Sequence, residues 1–361
     1  MDYNAYRRKT ALIRVGNISI GGDSPLSVQS MTNTDTHDVE ATYRQVRALA
    51  EAGCDIVRIT APDLESVDAF RSLRERGVGV PLVADIHFDY KIALAVAKYV
   101  DKIRINPGNI GGKDKVREVV AACREYAIPI RIGVNSGSLE KSILEKHGAP
   151  TPEALAESAL YHASLLEELD FHDIAISVKA SSTVNMIAAN RILAEKTVYP
   201  LHLGVTEAGF GTSAIVKSSI GIGTLLAEGI GDTLRVSLTD DPIKEVSAAR
   251  EILAALGLYE GGMNIISCPT CGRTKIDLIS LAGEFEARAK AEGIDKEKIT
   301  VALMGCVVNG PGEAREADFG IAGGKGEGLV FRRGEIIAKV GEDKLIDRLI
   351  EEIKATKGMS R

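Results

Sequence analysis

Short runs of β-branched and apolar residues alternate along the chain with longer stretches whose apolar positions recur at helical spacing. The runs predict strands at about 25–30, 55–60, 81–86, 102–106, 129–135, 173–179, 201–207 and 233–238. Helical patterns lie between them, for example from Val39 and from Asp63. Several stop at a glycine (Gly53, Gly77, Gly229), the residue that tolerates the left-handed conformation of a helix end. Eight strand-then-helix units in succession predict a TIM (β/α)8 barrel. A doubly wound open sheet is the competing architecture. The count of eight, and the lack of G-x-G-x-x-G after the first strand, favour the barrel.

After Gly261 the rhythm changes. A strand at Asn264–Ser267, a helix over about 274–292, strands at Ile299–Gly305 and Asp318–Ala322, and a hairpin about Arg333-Gly334 are predicted. A closing helix, Asp343–Lys357, follows, with Leu345, Ile346, Leu349, Ile350 and Ile353 on one face. The expected division is a barrel over 1–260 and a small α+β domain over 261–361, joined at Tyr259-Glu260-Gly261-Gly262.

The polar faces of the barrel strands are unusual. Side chains alternate between the two faces of a strand. Val57 and Ile59 oppose Arg58 and Thr60, and Ile103 and Ile105 oppose Arg104 and Asn106. Ile132 and Val134 oppose Arg131, Gly133 and Asn135. Ile174, Ile176 and Val178 oppose Ala175, Ser177 and Lys179, and Val236 and Leu238 oppose Arg235 and Ser237. The apolar faces must meet the helices, so Arg58, Arg104, Arg131, Lys179 and Arg235 point inward, where Val, Ile and Leu are the rule. Unpaired buried charge costs several kcal/mol, so these cations need partners. Internal ion pairs are one answer, but only Asp85 and Glu207 lie near the same strand ends. A small, strongly anionic ligand is the other. A diphosphate suits the charge, and guanidinium forks suit phosphate oxygens.

Other candidates cluster at the same end. The loop Glu207-Ala208-Gly209-Phe210-Gly211-Thr212-Ser213 opens a helix whose N–H groups suit a phosphate. Asp85 and His87, two apart, face one way and suit acid–base work or a substrate hydroxyl; a plain Asp–His hydrogen bond is the simpler reading. Glu207, beside Thr206, is a candidate general acid or base, or the partner of a cation. His202 begins its strand, far from the mouth, and reads as structural.

Composition narrows the class. The 361 residues are 45% hydrophobic and 26% charged, enough for a large core. A net charge of −6 argues against a general nucleic-acid or anionic-membrane binder, and 4% aromatic content with no Trp argues against base stacking. The start has no signal-peptide core and no apolar run is long enough to span a bilayer, so a soluble, cytoplasmic protein is expected. Five cysteines do not make a disulfide framework.

Cys268 and Cys271 form a C-x-x-C at one strand end, and Cys306 ends another strand. A redox disulfide leaves Cys306 unexplained. A structural zinc wants a fourth Cys or His, and none follows residue 260 apart from these three. An iron–sulfur cluster also wants four ligands, but an oxygen ligand would mark one iron as exchangeable. Glu313, after the turn Asn309-Gly310-Pro311-Gly312, could supply it. Cys54 and Cys123 read as packed thiols.

The runs Met304-Gly305-Cys306-Val307-Val308-Asn309-Gly310-Pro311-Gly312-Glu313-Ala314 and Cys268-Pro269-Thr270-Cys271-Gly272-Arg273 resemble the 4-hydroxy-3-methylbut-2-enyl diphosphate synthase family, also called IspG or GcpE. So do Val83-Ala84-Asp85-Ile86-His87-Phe88-Asp89, Arg104-Ile105-Asn106-Pro107-Gly108-Asn109 and Gly231-Asp232-Thr233-Leu234-Arg235-Val236-Ser237. The likeness covers essentially the whole chain and fits the shorter bacterial form. It implies reductive ring opening and dehydroxylation of 2-C-methyl-D-erythritol 2,4-cyclodiphosphate, with two electrons, in the methylerythritol phosphate route to isoprenoids. It implies one 4Fe-4S cluster per chain on Cys268, Cys271, Cys306 and Glu313, with Glu313 displaced in turnover. Arg58, Arg104, Arg131, Asn135, Lys179, Arg235 and Ser237 match substrate-binding positions, Glu207 the proton donor, and Thr206, Asp85 and His87 line the site. A homodimer in which one chain's cluster domain caps the other's barrel, and reduced flavodoxin or ferredoxin as electron donor, are also implied. Two other readings stand beside this one. One is a zinc-stabilised barrel lyase or transferase on a phosphorylated substrate; the other is an iron–sulfur sensor that binds a diphosphate.

Overall fold

The computed structural model describes residues 3–259, 261–306 and 316–358, so Glu313 and the turn before it lie outside the described residues. The chain divides into two compact units after Leu258.

In the first unit a hairpin, β1 (Ile13–Val15) and β2 (Ile18–Ile20), precedes eight parallel strands. These are β3 (Ser27–Met31), β4 (Ile56–Thr60), β5 (Leu82–Asp85), β6 (Lys102–Ile105), β7 (Ile130–Asn135), β8 (Ile174–Lys179), β9 (His202–Leu203) and β10 (Thr233–Leu234). Their order is β8-β7-β6-β5-β4-β3-β10-β9, and a parallel bridge between Ile176 and Leu201 closes β8 onto β9. This is the expected eight-stranded barrel with helices between its strands. Val57, Ile59, Ile103, Ile105, Ile132, Val134, Ile176 and Val178 face outward into one continuous core with those helices. Asp38 and Ser182 cap two of the helices through their side chains, and Gly77, at φ 68°, ends another.

Two strands end sooner than the sequence pattern suggests, at Leu203 rather than 207 and at Leu234 rather than 238. Beyond them the ladder continues only in single bonds, Thr206 N–H to the Ala180 carbonyl (3.2 Å) and Arg235 N–H to the Leu203 carbonyl (2.9 Å). Lys179 crowds the position of Gly204, and Glu207 adopts φ 52°, so regular pleating is lost where the site begins.

The pairing register stacks the inward side chains in layers of four from alternate strands. From the amino-terminal floor upward they are Ile56, Lys102, Ala175 and Thr233; then Gln29, Val83, Arg131 and His202; then Arg58, Arg104, Ser177 and Arg235; then Met31, Asp85, Gly133 and Gly204. Thr60, Asn106 and Lys179 follow at the rim. The β1–β2 hairpin seals the floor, packing Ile13, Val15 and Ile20 on Ile56, Val83 and Ala175. Three-residue strands carry too little periodicity for the sequence pattern to reveal this plug.

The second unit is a five-stranded sheet of β11 (Asn264–Ser267), β12 (Thr300–Met304), β13 (Phe319–Gly323), β14 (Glu327–Arg332) and β15 (Glu335–Gly341), in that order. The first three are parallel and the last three antiparallel. The β14–β15 turn falls on Arg333 (φ 47°) and Gly334 (φ 80°), two positive φ values in succession as a tight hairpin turn needs. The helix after β11 spans Leu278–Ala291, not 274–292, because Asp277 caps it by accepting the Ser280 N–H. Leu345, Ile346, Leu349, Ile350 and Ile353 of the last helix bury against Val301, Leu303, Ile321 and Val330. Among the described residues no helix is long and apolar enough to cross a membrane.

Candidate active site

The upper layers of the barrel gather most of the inward cations. Arg104 donates to Asp85 at 3.1 Å, and Arg58 stands 3.7 Å from the other oxygen of the same carboxylate. Burial alone would raise the Asp85 pKa, but Arg58 and then Arg104 outweigh it and hold the carboxyl well below its usual range. Arg235 forks onto Glu245 at 3.1 and 3.2 Å, and Glu245 also accepts from Ser30 and from the Leu238 N–H. Met31 sulfur takes close N–H contacts from Arg58 and Arg235. Arg131 donates to Gln29 at 3.1 Å.

These pairs do not neutralise the interior. Lys102 is a sixth inward cation, so six face two buried carboxylates, Asp85 and Glu245. Ion pairing therefore answers part of the question left by the sequence, through Glu245 rather than Glu207, which is exposed. Burial pulls the Arg58 pKa down to about 10, with Arg235 and Arg104 adding to the fall against Asp85. Burial, then Arg235, Arg58 and Arg131, press the Lys179 ammonium well below its ordinary value. Such a surplus relaxes when an anion arrives.

Two strand glycines make room for these side chains. A Cβ on Gly133 would collide with the Arg104 guanidinium. A Cβ on Gly204 would lie 2.9 Å from Lys179 Nζ and 2.6 Å from the Arg235 carbonyl oxygen. Real Cβ atoms avoid both separations, so glycine is required for Arg104 and Lys179 to rise toward the mouth.

At the mouth, His87 is half-exposed and lies 3.8 Å from Asp85, too far for the plain hydrogen bond, and 3.4 Å from Arg104. Asn135 ends β7, and its carbonyl accepts from Ser138, which stands 3.4 Å from Asn106. Thr206 and Ser237 are half-buried on the last two strand ends. Glu207 is exposed with φ 52°, a left-handed backbone that a glutamate rarely adopts. The loop from β9 to the helix Gly211–Ala227 is pinned by Lys217 on the Ala208 carbonyl and by the Thr239 N–H on the Gly209 carbonyl. His202 is fully buried within the barrel, away from the mouth.

In the second unit Cys268 follows β11, and its sulfur accepts the Gly305 N–H at 3.3 Å. Cys271 is exposed; its carbonyl accepts the Thr274 N–H, and its own N–H donates to the Thr274 hydroxyl. The Lys275 N–H donates to the Gly305 carbonyl, next to Cys306. The C-x-x-C turn is thus stitched to the residue before the third thiol. The backbone N–H of Arg273, and then its side chain, hold the Cys271 thiol below its ordinary pKa, which favours the thiolate that a metal takes. Arg273 also feels the charge of Cys306. Among the described residues no three such side chains stand close enough to grip an ion as placed, and Glu313 lies outside those residues. Cys54 and Cys123 are buried, and burial pushes both thiols up to about 12.

Strand alternation left three interior residues out of the sequence-based set. Lys102 shares a face with Arg104, and Gln29 an inward position on β3, so both were within its reach. Glu245 sits on the helix Pro242–Ala255, outside any strand pattern, and nothing in the sequence marked it.

The GcpE TIM-barrel domain family matches residues 10–250, and the GcpE protein C-terminal domain family matches residues 264–355. A 4-hydroxy-3-methylbut-2-en-1-yl diphosphate synthase (flavodoxin) from Clostridium perfringens is 60% identical over 349 residues, 96% of this chain and 99% of the relative. One of the same name from Geobacter sulfurreducens is 57% identical, over 96% and 98%. Among solved structures, dihydropteroate synthase from Stenotrophomonas maltophilia superposes with a TM-score of 0.50 at 14% identity, over 69% of this chain and 98% of that one. That likeness concerns the barrel fold alone.

Proposed function

The chain belongs to the GcpE family, and on that premise we propose that it opens 2-C-methyl-D-erythritol 2,4-cyclodiphosphate and reduces it to 4-hydroxy-3-methylbut-2-enyl diphosphate. The reaction breaks the bond between the ring carbon and the diphosphate, releases a hydroxyl as water, and consumes two electrons with the protons that balance them. The relatives' shared name favours this oxidoreductase over a redox-free lyase and over a sensor. The observation that carries the reading is the cation surplus in the barrel, six against two carboxylates, together with a thiol-bearing unit in the same chain.

Arg58, Arg104, Arg131, Lys179 and Arg235 hold the diphosphate, with Asn135, Ser237 and Thr206 at its edge. Asp85 keeps Arg58 and Arg104 aimed, and Glu245 does the same for Arg235. His87 stands by the same carboxylate to meet a substrate hydroxyl. Glu207, exposed on the loop that follows β9, delivers the proton at the leaving oxygen.

Cys268, Cys271 and Cys306, with Glu313 as the oxygen ligand, are the residues to hold one 4Fe-4S cluster. The donor set suits it: three thiols on neighbouring strand ends, one already favoured as thiolate. When bound, such a cluster would relay the two electrons one at a time from an external reductant. Reduced flavodoxin, which the relatives' names carry, is the proposed donor, with ferredoxin as a substitute. A homodimer in which one chain's thiol unit covers the other's barrel completes the proposal. It is supported by the exposed Leu64, Phe88, Val184 and Phe210, all on segments that follow barrel strands.

The test is Glu207→Gln in anaerobically purified protein. Binding of the cyclodiphosphate and the brown colour of the cluster should persist while turnover falls by at least about a hundredfold. Turnover within a few-fold of the unsubstituted protein would remove Glu207 as proton donor.

A further inference from the structure

The two lowest layers of the barrel hold a polar cluster of which the proposed diphosphate site uses only Arg131. Lys102 Nζ, Gln29 Nε2, Arg131 Nε, His202 Nε2 and Ser27 Oγ are buried without a hydrogen-bond partner. None of the five residues is more than 4% exposed. The register places them around one space. Lys102 shares the lowest layer with Ala175 and Thr233; Gln29, Arg131 and His202 form the layer above, and Ser27 pairs with Thr233. Ala175 and Thr233 are the smaller members of the lowest layer, and Ile56 completes it. Gln29 spends its oxygen on Arg131, and His202 spends Nδ1 on the Thr233 hydroxyl at 3.3 Å, so each has a nitrogen left for the interior. The β1–β2 hairpin closes the space below, and Arg58, Arg104 and Arg235 lie above it.

The chemistry of the lining is one-sided. Beside the apolar Ile56, Val83 and Ala175, these layers hold an ammonium, a guanidinium N–H, an amide NH2, an imidazole nitrogen and a hydroxyl, and every one can donate. Among the described residues no carboxylate forms a salt bridge with Lys102 or Arg131. A water molecule accepts only two hydrogen bonds and must place two protons of its own, so it fits such a lining poorly. An anion fits it on both counts.

We propose that this cluster of unpartnered donors beneath the diphosphate site binds a small inorganic anion of halide size, held by Lys102, Arg131, Gln29 and His202. The anion neutralises the charge under the substrate layer. Without it, burial and then Arg131 and Arg58 drive the Lys102 ammonium toward its neutral form. The site shares Arg131 with the diphosphate set, but Lys102, Gln29 and His202 belong to it alone and lie in the two layers below Arg58, Arg104 and Arg235.

The probe is bromide. Crystals of the full chain grown in bromide should give an anomalous peak within hydrogen-bonding reach of Lys102 Nζ and His202 Nε2. In solution, at ionic strength fixed with gluconate, the unfolding midpoint should rise with bromide. Lys102→Met should weaken the bromide dependence at least tenfold. No anomalous peak in the lower layers, or a peak only among Arg58, Arg104 and Lys179, would overturn the proposal. An equal bromide response in Lys102→Met would do the same. Should that variant fail to fold, diffraction from the unsubstituted protein decides alone.

Discussion

Asp85 carries more of the site than its single charge suggests. It is the carboxylate that Arg58 and Arg104 share, and both guanidiniums are nearly buried. Its folded pKa is depressed, so it contributes stability above the unfolded value of about 4, and that contribution is lost as pH falls below it. Asp85→Asn strands two buried cations and should cost about 3–5 kcal/mol at neutral pH, read from denaturant midpoints. The acid-side slope of stability below about pH 4 should flatten in the same variant. Lys179 behaves in the opposite sense. Its pKa is pressed down in the free protein, and on the proposed function a bound diphosphate should restore the charged form. Binding should therefore take up protons and weaken as pH rises. Calorimetry in buffers of different ionisation enthalpy measures the uptake, and Lys179→Met should reduce it.

Strand alternation made most of the interior cations legible, because one residue in two faces inward regardless of tertiary detail. Arg58, Arg104, Arg131 and Lys179 all stand where it puts them. It does not reach Glu245, whose partner Arg235 directly follows β10 while it comes from a helix. Nor does it reach the β1–β2 plug, whose strands are three residues each. It also overran β9 and β10, since apolar alternation continues past Leu203 and Leu234 while the backbone bends around Lys179 and Glu207. Gly133 tests this scale. Gly133→Ala puts a methyl into the Arg104 guanidinium, which must move, so diphosphate affinity should fall about tenfold or more while the barrel still folds. Unchanged affinity, measured by calorimetry, would mean that Arg104 does not hold the ligand where it now stands.

On the scale of the whole chain, two kinds of chemistry occupy two compact units. The barrel concentrates positive charge inside a protein of net charge −6, and the second unit carries three of the five cysteines near strand ends. The cysteine spacing was legible in the sequence, but the fourth ligand was not fixed by spacing alone. Thiols suit a soft metal, and a carboxylate in the set suits an iron that must exchange a ligand. Metal removal belongs to this scale. A chelator with an oxidant should bleach the protein and end turnover, while diphosphate binding to the barrel persists, because the cations proposed to hold it lie in the other unit. The most direct measurement is anaerobic turnover of the purified protein with 2-C-methyl-D-erythritol 2,4-cyclodiphosphate and a low-potential reductant, with metal content read on the same sample. Iron and sulfide at four each per chain, and 4-hydroxy-3-methylbut-2-enyl diphosphate formed at one molecule per two electrons, are the predicted result. A colourless protein holding one zinc per chain, or product formed without reductant, would contradict it.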